Sequence, residues 1–142
     1  MRNLITLPVN LTRQLQDHVL SQPRVEVCGM LAGTDHLASH IYPVENISDQ
    51  PTHRFYMHPD QLFQALDEIE RNGLSLLAIY HSHPAGARPD PSPDDAPTAS
   101  WYPNAAQIIA VPSQDGQSLA SLRAFRWGRD GFREIELVRI SV

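Results

Sequence analysis

Apolar residues recur at helical intervals in two stretches of the chain. In "NLTRQLQDHVLS" (10–21), Leu11, Leu15 and Val19 fall four apart behind Asn10, a residue suited to cap a helix, and Pro23 follows the end. An amphipathic helix is predicted there. In "PDQLFQALDEIERNG" (59–73), Pro59 takes a first-turn position, Leu62, Leu66 and Ile69 share one face, and Gly73 closes the segment. This spacing predicts a second helix.

Elsewhere the pattern is that of strands. "RVEVCGMLAG" (24–33) opens with β-branched residues, and after a Thr34-Asp35 turn "HLASHIYPVEN" (36–46) predicts its hairpin partner. "HRFYMH" (53–58) predicts a short strand. "SLLAIYH" (75–81) and "AAQIIAVP" (105–112) are nearly continuous apolar runs, as in strands buried on both faces. Clean alternation in "SLASLRAFRW" and "FREIELVRI", joined across Gly128 to Gly131, predicts a closing hairpin. The sum is an α+β fold with a mixed sheet.

Composition narrows the class. The chain has 142 residues, 42% hydrophobic and 19% charged, which suits one globular domain spanning 1–142. A net charge of −5 with scattered basic residues argues against nucleic-acid binding. Cys28 is the only cysteine, so an internal disulfide and a thiolate-rich zinc site are both excluded, and a reducing cytoplasm fits best. The N-terminal "MRNLITLPVNLTRQL" has no continuous apolar region of signal-peptide length, and no stretch approaches a membrane span. A soluble, cytoplasmic protein without a membrane partner is expected. Proline clusters between 84 and 103, which predicts a long loop there.

That loop follows "IYHSHP". His81 and His83 are two apart at a strand end, so both imidazoles leave the same face and can converge. Twelve residues past His83, Asp95 lies three after Ser92 in "SPDD", with Pro93 at a first helical position, and its carboxylate can turn back toward the histidines. Two nitrogens and one carboxylate leave a fourth tetrahedral position of Zn²⁺ open for water, the pattern of a catalytic site. Taken singly, each piece has a plainer reading: loop histidines, a capping box, acids that complement a helix dipole. The combination at the end of a buried strand is what favours chemistry. Such a site also needs a base that is not a ligand, and Glu26, a charge inside apolar "VEVCGM", is the candidate; an edge-strand glutamate facing solvent is the alternative. Cys28 reads as a small core residue rather than a nucleophile. There is no His-Glu-x-x-His, and one cysteine cannot build the Pro-Cys-x-x-Cys of zinc nucleobase deaminases.

Together, Glu26 in "EVCGM", "HSHP" at 81–84 and "SPDD" at 92–95 resemble the motif of the JAMM (MPN+) metallopeptidases, a glutamate followed by His-x-His-Pro, a loop and Ser-x-x-Asp. The likeness continues from "ENISDQPTHRFYMH" to "LRAFRW", covers most of the chain and is closest to the minimal stand-alone prokaryotic branch. The loop from His83 to Ser92 is one residue longer than is common in that family, and Pro97 falls inside the helix that should carry Asp95. The resemblance implies a mixed curved β-sheet flanked by helices, of cytidine-deaminase-like architecture. It further implies that His81, His83 and Asp95 bind Zn²⁺, that Glu26 deprotonates a water and later protonates the leaving amine, and that Ser92 stabilises the oxyanion. The implied reaction is peptide or isopeptide hydrolysis at the C-terminal Gly-Gly tail of a ubiquitin-like or sulfur-carrier protein, with the tail extended along a sheet edge. A cell-wall or phage-associated metallopeptidase and a non-catalytic metal-binding scaffold are the alternatives.

Overall fold

The computed structural model describes residues 3–141. Its strands are β1 (Leu4–Pro8), β2 (Cys28–Thr34), β3 (Leu37–Val44), β4 (Ser75–Ser82), β5 (Ala106–Pro112), β6 (Leu119–Gly128) and β7 (Gly131–Ile140). The helices are α1 (Val9–Ser21), α2 (Pro59–Arg71) and α3 (Ala96–Trp101), with a 3-10 turn at Pro93–Asp95. The fold is α+β, but the sheet is more than curved: it closes in the order β1-β3-β2-β4-β5-β6-β7. Closure comes from β1, which runs parallel to β7 along its whole length and reaches β3 through Thr6 opposite Leu37. Contact between β1 and β3 is limited to that one pair, so β3 beyond Leu37 has β2 as its strand partner on one side only.

Two apolar clusters sit against opposite faces of the strands. Leu11, Leu15 and Val19 of α1 pack on Leu7, Leu31, Tyr80 and Ile108, while Ala65 of α2 belongs to a cluster with Met30, Val44 and Ile79, against which Leu62 and Leu66 pack. Truncating a side chain buried like Leu15 to alanine costs roughly 2–5 kcal/mol. Strand β4 serves both clusters by alternation. Tyr80 points toward α1, where its hydroxyl meets His18 Nδ1 at 2.7 Å, and Ile79 points toward α2.

Several expectations require correction. Helix α1 begins at Val9, and Pro8, with φ −62° and ψ 152°, stands at the cap position in place of Asn10. The reason is that β1 runs straight into the helix, and proline keeps the chain extended to the last residue. The strand foreseen at 24–33 starts only at Cys28. The stretch 53–58 forms one isolated bridge, Asn46 to Met57, instead of a strand. Side-chain bonds extend the two backbone bonds of this bridge, from Ile47 N–H to the Tyr56 carbonyl and from His58 N–H to the Glu45 carbonyl: Asn46 Oδ1 accepts the Tyr56 N–H at 2.9 Å, and Asn46 Nδ2 donates to the Arg54 carbonyl at 3.2 Å. The helix around Pro97 is short, six residues, with Pro97 in its first turn, but Asp95 precedes it on the 3-10 turn instead of being carried within it.

Candidate metal centre

The extended backbone of β4 continues past Ser82, since the His83 N–H donates to the Ala110 carbonyl of β5 at 2.9 Å. His81 and His83 thus leave the same side of the pleat. Both are buried, and His81 lies against the Phe55 ring with centroids 4.6 Å apart and planes at 26°. From across the cleft the 3-10 turn delivers Asp95, only 2% exposed. The Ser92 N–H donates to Asp95 Oδ2 at 2.7 Å and so orients the carboxylate. This is one half of a capping box. Ser92 Oγ faces the Asp95 backbone in the other half but lies outside hydrogen-bond geometry and has no partner.

The distances favour a shared cation. His81 Nε2 and His83 Nε2 are 3.3 Å apart, His81 Nε2 lies 3.1 Å from Asp95 Oδ1, and His83 Nε2 lies 3.2 Å from Asp95 Oδ2. Ligand atoms bound tetrahedrally at about 2.0–2.1 Å are roughly 3.3 Å from one another. All three pairs match that spacing. Asp95 Oδ1, close as it is to His81, makes no hydrogen bond, so these atoms aim at a common point more than at each other. The tautomer fits too: His83 Nδ1 lies 2.7 Å from the Arg88 carbonyl, which can only accept, so Nδ1 carries the proton and Nε2 keeps its lone pair. The residues present therefore suit a divalent cation, and His81, His83 and Asp95 are the group so arranged among the described residues.

Electrostatics agree with the geometry. Burial pushes the Asp95 carboxyl up, but the adjoining His81 and His83 imidazoles and the Ser92 N–H outweigh it and hold the group well below the usual carboxylate range. Burial likewise opposes protonation of His83, yet the Asp95 carboxylate and the Arg88 carbonyl overcome it and raise its basicity. Asp94, the neighbouring candidate, points elsewhere. Its side chain is 48% exposed and lies 3.9 Å from Arg54.

Glu26 is 3% exposed, which rules out the solvent-facing alternative. Burial pushes its carboxyl up to about 7, against the pull of His81 and His83, and Oε1 has no hydrogen-bond partner. A carboxyl that can gain or lose a proton near neutrality is suited to general base and acid work. Its backbone is held firmly for a residue outside any strand. The Glu26 N–H donates to the Pro51 carbonyl at 2.7 Å, and Asn46 Nδ2 donates to the Glu26 carbonyl at 2.8 Å. Cys28 is buried and its thiol is pushed up to about 12 by burial and by Glu26, so it is no nucleophile.

Glu26, His83 and Ser92 line one cleft of about 730 Å³, walled by Gln50, Thr52, His53 and Arg54 on one side and by Pro84, Arg88 and Pro91 on the other. Sequence reasoning missed the residues that hold this cleft in shape: Ser82, Asn46, Phe55 and the Arg88 carbonyl. Only Ser82 left a legible signal. Period-two alternation turns it away from its two histidine neighbours, and a buried hydroxyl there must find partners.

The family described as prokaryotic homologs of the JAB domain matches residues 8–127. A desampylase of Haloferax volcanii is 32% identical over 139 residues, covering 91% of this chain and 94% of its own. A probable TtuB-protein conjugate cleaving protease of Thermus thermophilus is 37% identical over 98 residues, 69% of this chain and 65% of its own. Among solved structures, a protein from Desulfitobacterium hafniense superposes with a TM-score of 0.79 at 27% identity over 97% of this chain and 94% of that one. A JAB1/MPN domain protein from Archaeoglobus fulgidus shares the fold, with a TM-score of 0.64 at 17% identity over 96% of this chain and 100% of that one.

Proposed function

The chain belongs to the prokaryotic JAB-domain family, and on that premise we propose that it is a zinc-dependent peptidase or isopeptidase of the JAMM type. Its substrate is the C-terminal Gly-Gly tail of a ubiquitin-like or sulfur-carrier protein, cut from a conjugated amine or from a short extension. The observation that carries this reading is the convergence of His81 Nε2, His83 Nε2 and the Asp95 carboxylate beside a buried, unpartnered Glu26 oxygen. The names of the Haloferax and Thermus relatives support the substrate class.

His81, His83 and Asp95 would hold Zn²⁺. When bound there, zinc supplies Lewis-acid polarisation of a carbonyl and an acidic water at neutral pH. Every other step belongs to this chain. Glu26 accepts the water proton on its carboxylate and returns it to the departing amine, a transfer its elevated pKa allows in both directions. Ser92 donates its free hydroxyl to the oxyanion that develops as the carbonyl is attacked.

The tail lies in the cleft between 50–54 and 83–94, which Glu26, His83 and Ser92 line. Arg54 and Asp94 also border a second groove of about 690 Å³, lined by Ile47, Phe55, Tyr56 and Trp101, which offers apolar surface to the folded body behind the tail. The proposed site is a domain of residues 1–142 working in the cytoplasm, consistent with the lack of a helix long and apolar enough to cross a membrane among the described residues. A scaffold role accounts less well for Glu26 Oε1, His81 Nδ1, Ser92 Oγ and Asp95 Oδ1, all buried without hydrogen bonds.

The test is intact-mass analysis of carrier proteins bearing C-terminal extensions or lysine conjugates, incubated with zinc-loaded protein and with Glu26→Gln. Cleavage after Gly-Gly by the unmodified protein alone supports the reading. Equal cleavage by Glu26→Gln, or none by either with zinc bound, overturns it.

A further inference from the structure

Arg123 lies on β6, two strands away from His81, and its role is not explained by the core. Its guanidinium bridges two carboxylates. Nε and Nη2 form a fork onto Glu134 of β7 at 2.9 and 2.7 Å, and Nη1 donates to Asp90 Oδ1 at 2.9 Å. The Phe125 ring supports it from below, 5.3 Å from the guanidinium carbon. Asp90 belongs to the proline-rich loop after His83, and its other oxygen accepts from Arg88 Nη2 at 3.0 Å. Arg88 in turn supplies the carbonyl that meets His83 Nδ1.

The loop needs such a tether. Pro84, Pro89 and Pro91 have no N–H to donate, and the backbone bonds that Ala85 and Ala87 make, to Pro23 and Pro84, both precede Arg88. The part of the loop that carries the Arg88 carbonyl is therefore tied to the barrel through Asp90 and Arg123. We propose that Arg123 is a positioning residue for the metal centre, which through Asp90 holds the Arg88 carbonyl against His83 and so keeps the His83 Nε2 lone pair available. The inference rests on the metal-centre reading above. Neither Arg123 nor Asp90 touches a ligand atom, so their effect is on affinity and tautomer, not on chemistry.

Two variants and two readouts test it. Asp90→Asn and Arg123→Gln, separately and together, are titrated with Zn²⁺ against a competing chelator, and the His83 tautomer is read by ¹H–¹⁵N NMR in metal-free protein at a pH where the ring is neutral. Partners of ligating histidines typically change metal affinity 10–100-fold, and one contact further out about 3- to 10-fold weakening is expected, with no further loss in the double variant. The His83 signal shifts toward a mixture of Nδ1–H and Nε2–H forms. A folded Asp90→Asn that keeps both unmodified affinity and a pure Nδ1–H tautomer overturns the proposal, as does an additive loss in the double variant. Absence of zinc binding by the unmodified protein contradicts the metal-centre reading instead, and the NMR readout still decides the role of the tether.

Discussion

Ser82 Oγ accepts the Val27 N–H at 2.9 Å, and this bond joins the strand that carries the two histidines to the segment that carries Glu26. The Ser82 hydroxyl also donates to the Val25 carbonyl at 3.3 Å, and its N–H donates to the Val27 carbonyl at 2.9 Å. Glu26 is thus clasped on both sides by one residue. Because successive side chains alternate, the same pleat that aims His81 and His83 into the cleft aims Ser82 away from it. Ser82→Ala leaves a buried N–H unpaired and should cost about 1–3 kcal/mol of stability by denaturant titration. Since Glu26 loses its register with the histidines, kcat is expected to fall by at least about tenfold while zinc affinity changes by less than about threefold. Equal losses in both would mean that Ser82 supports the histidines, not Glu26.

Glu26→Gln separates chemistry from metal binding. Removing the proposed general base should lower kcat about 10²- to 10⁴-fold with zinc stoichiometry intact. A linked effect appears in the metal-free protein. Burial raises the folded-state carboxyl from 4.5 to about 7, so between these values the folded state retains a proton that the unfolded state has released. Glu26 therefore becomes progressively destabilising as pH rises through that window, fully so above about 7. Calorimetry should find Glu26→Gln little changed near pH 4 and higher melting than the unmodified metal-free protein near pH 8, with the difference growing between. A difference independent of pH would refute the buried-carboxyl account.

Asp95 and its neighbour Asp94 make a matched pair of tests. Asp95→Asn removes the buried carboxylate proposed as a ligand and should abolish stoichiometric zinc binding. Asp94→Asn removes an exposed carboxylate paired loosely with Arg54, a contact that contributes at most about 1 kcal/mol, and should bind zinc as before. Equilibrium dialysis against zinc distinguishes them. Reversal of the two results would reassign the ligand.

Cys28 gives a prediction of indifference. Its thiol is buried, hydrogen-bonded to the Val44 carbonyl at 3.4 Å and pushed up to about 12. Iodoacetamide at neutral pH should leave the folded protein unalkylated by mass and its cleavage rate unchanged. Inactivation that tracks alkylation would revive a thiol mechanism.

The α+β class, α2, β4, β5 and the closing hairpin were legible because each carries an unbroken period of its own kind. So was the convergence of His81, His83 and Asp95, since a strand end and a capping turn dictate where those side chains point. Barrel closure was not legible: β1 is five residues long and finds its partner, β7, at the other end of the chain. Residues 24–27 and 53–58 have strand-like composition, but Ser82 and Asn46 take up their backbone groups, and side-chain bonds of that kind leave no periodic trace. The Arg88 carbonyl, which sets the His83 tautomer, belongs to the backbone and has no residue signature at all.

The most direct test of the account is anomalous diffraction at the zinc absorption edge from a crystal of the zinc-loaded protein. The account predicts one peak about 2.0–2.2 Å from His81 Nε2, His83 Nε2 and an Asp95 oxygen, with Glu26 near the centre but outside the coordination shell. A peak elsewhere, or one in which Glu26 is itself a ligand, would contradict it.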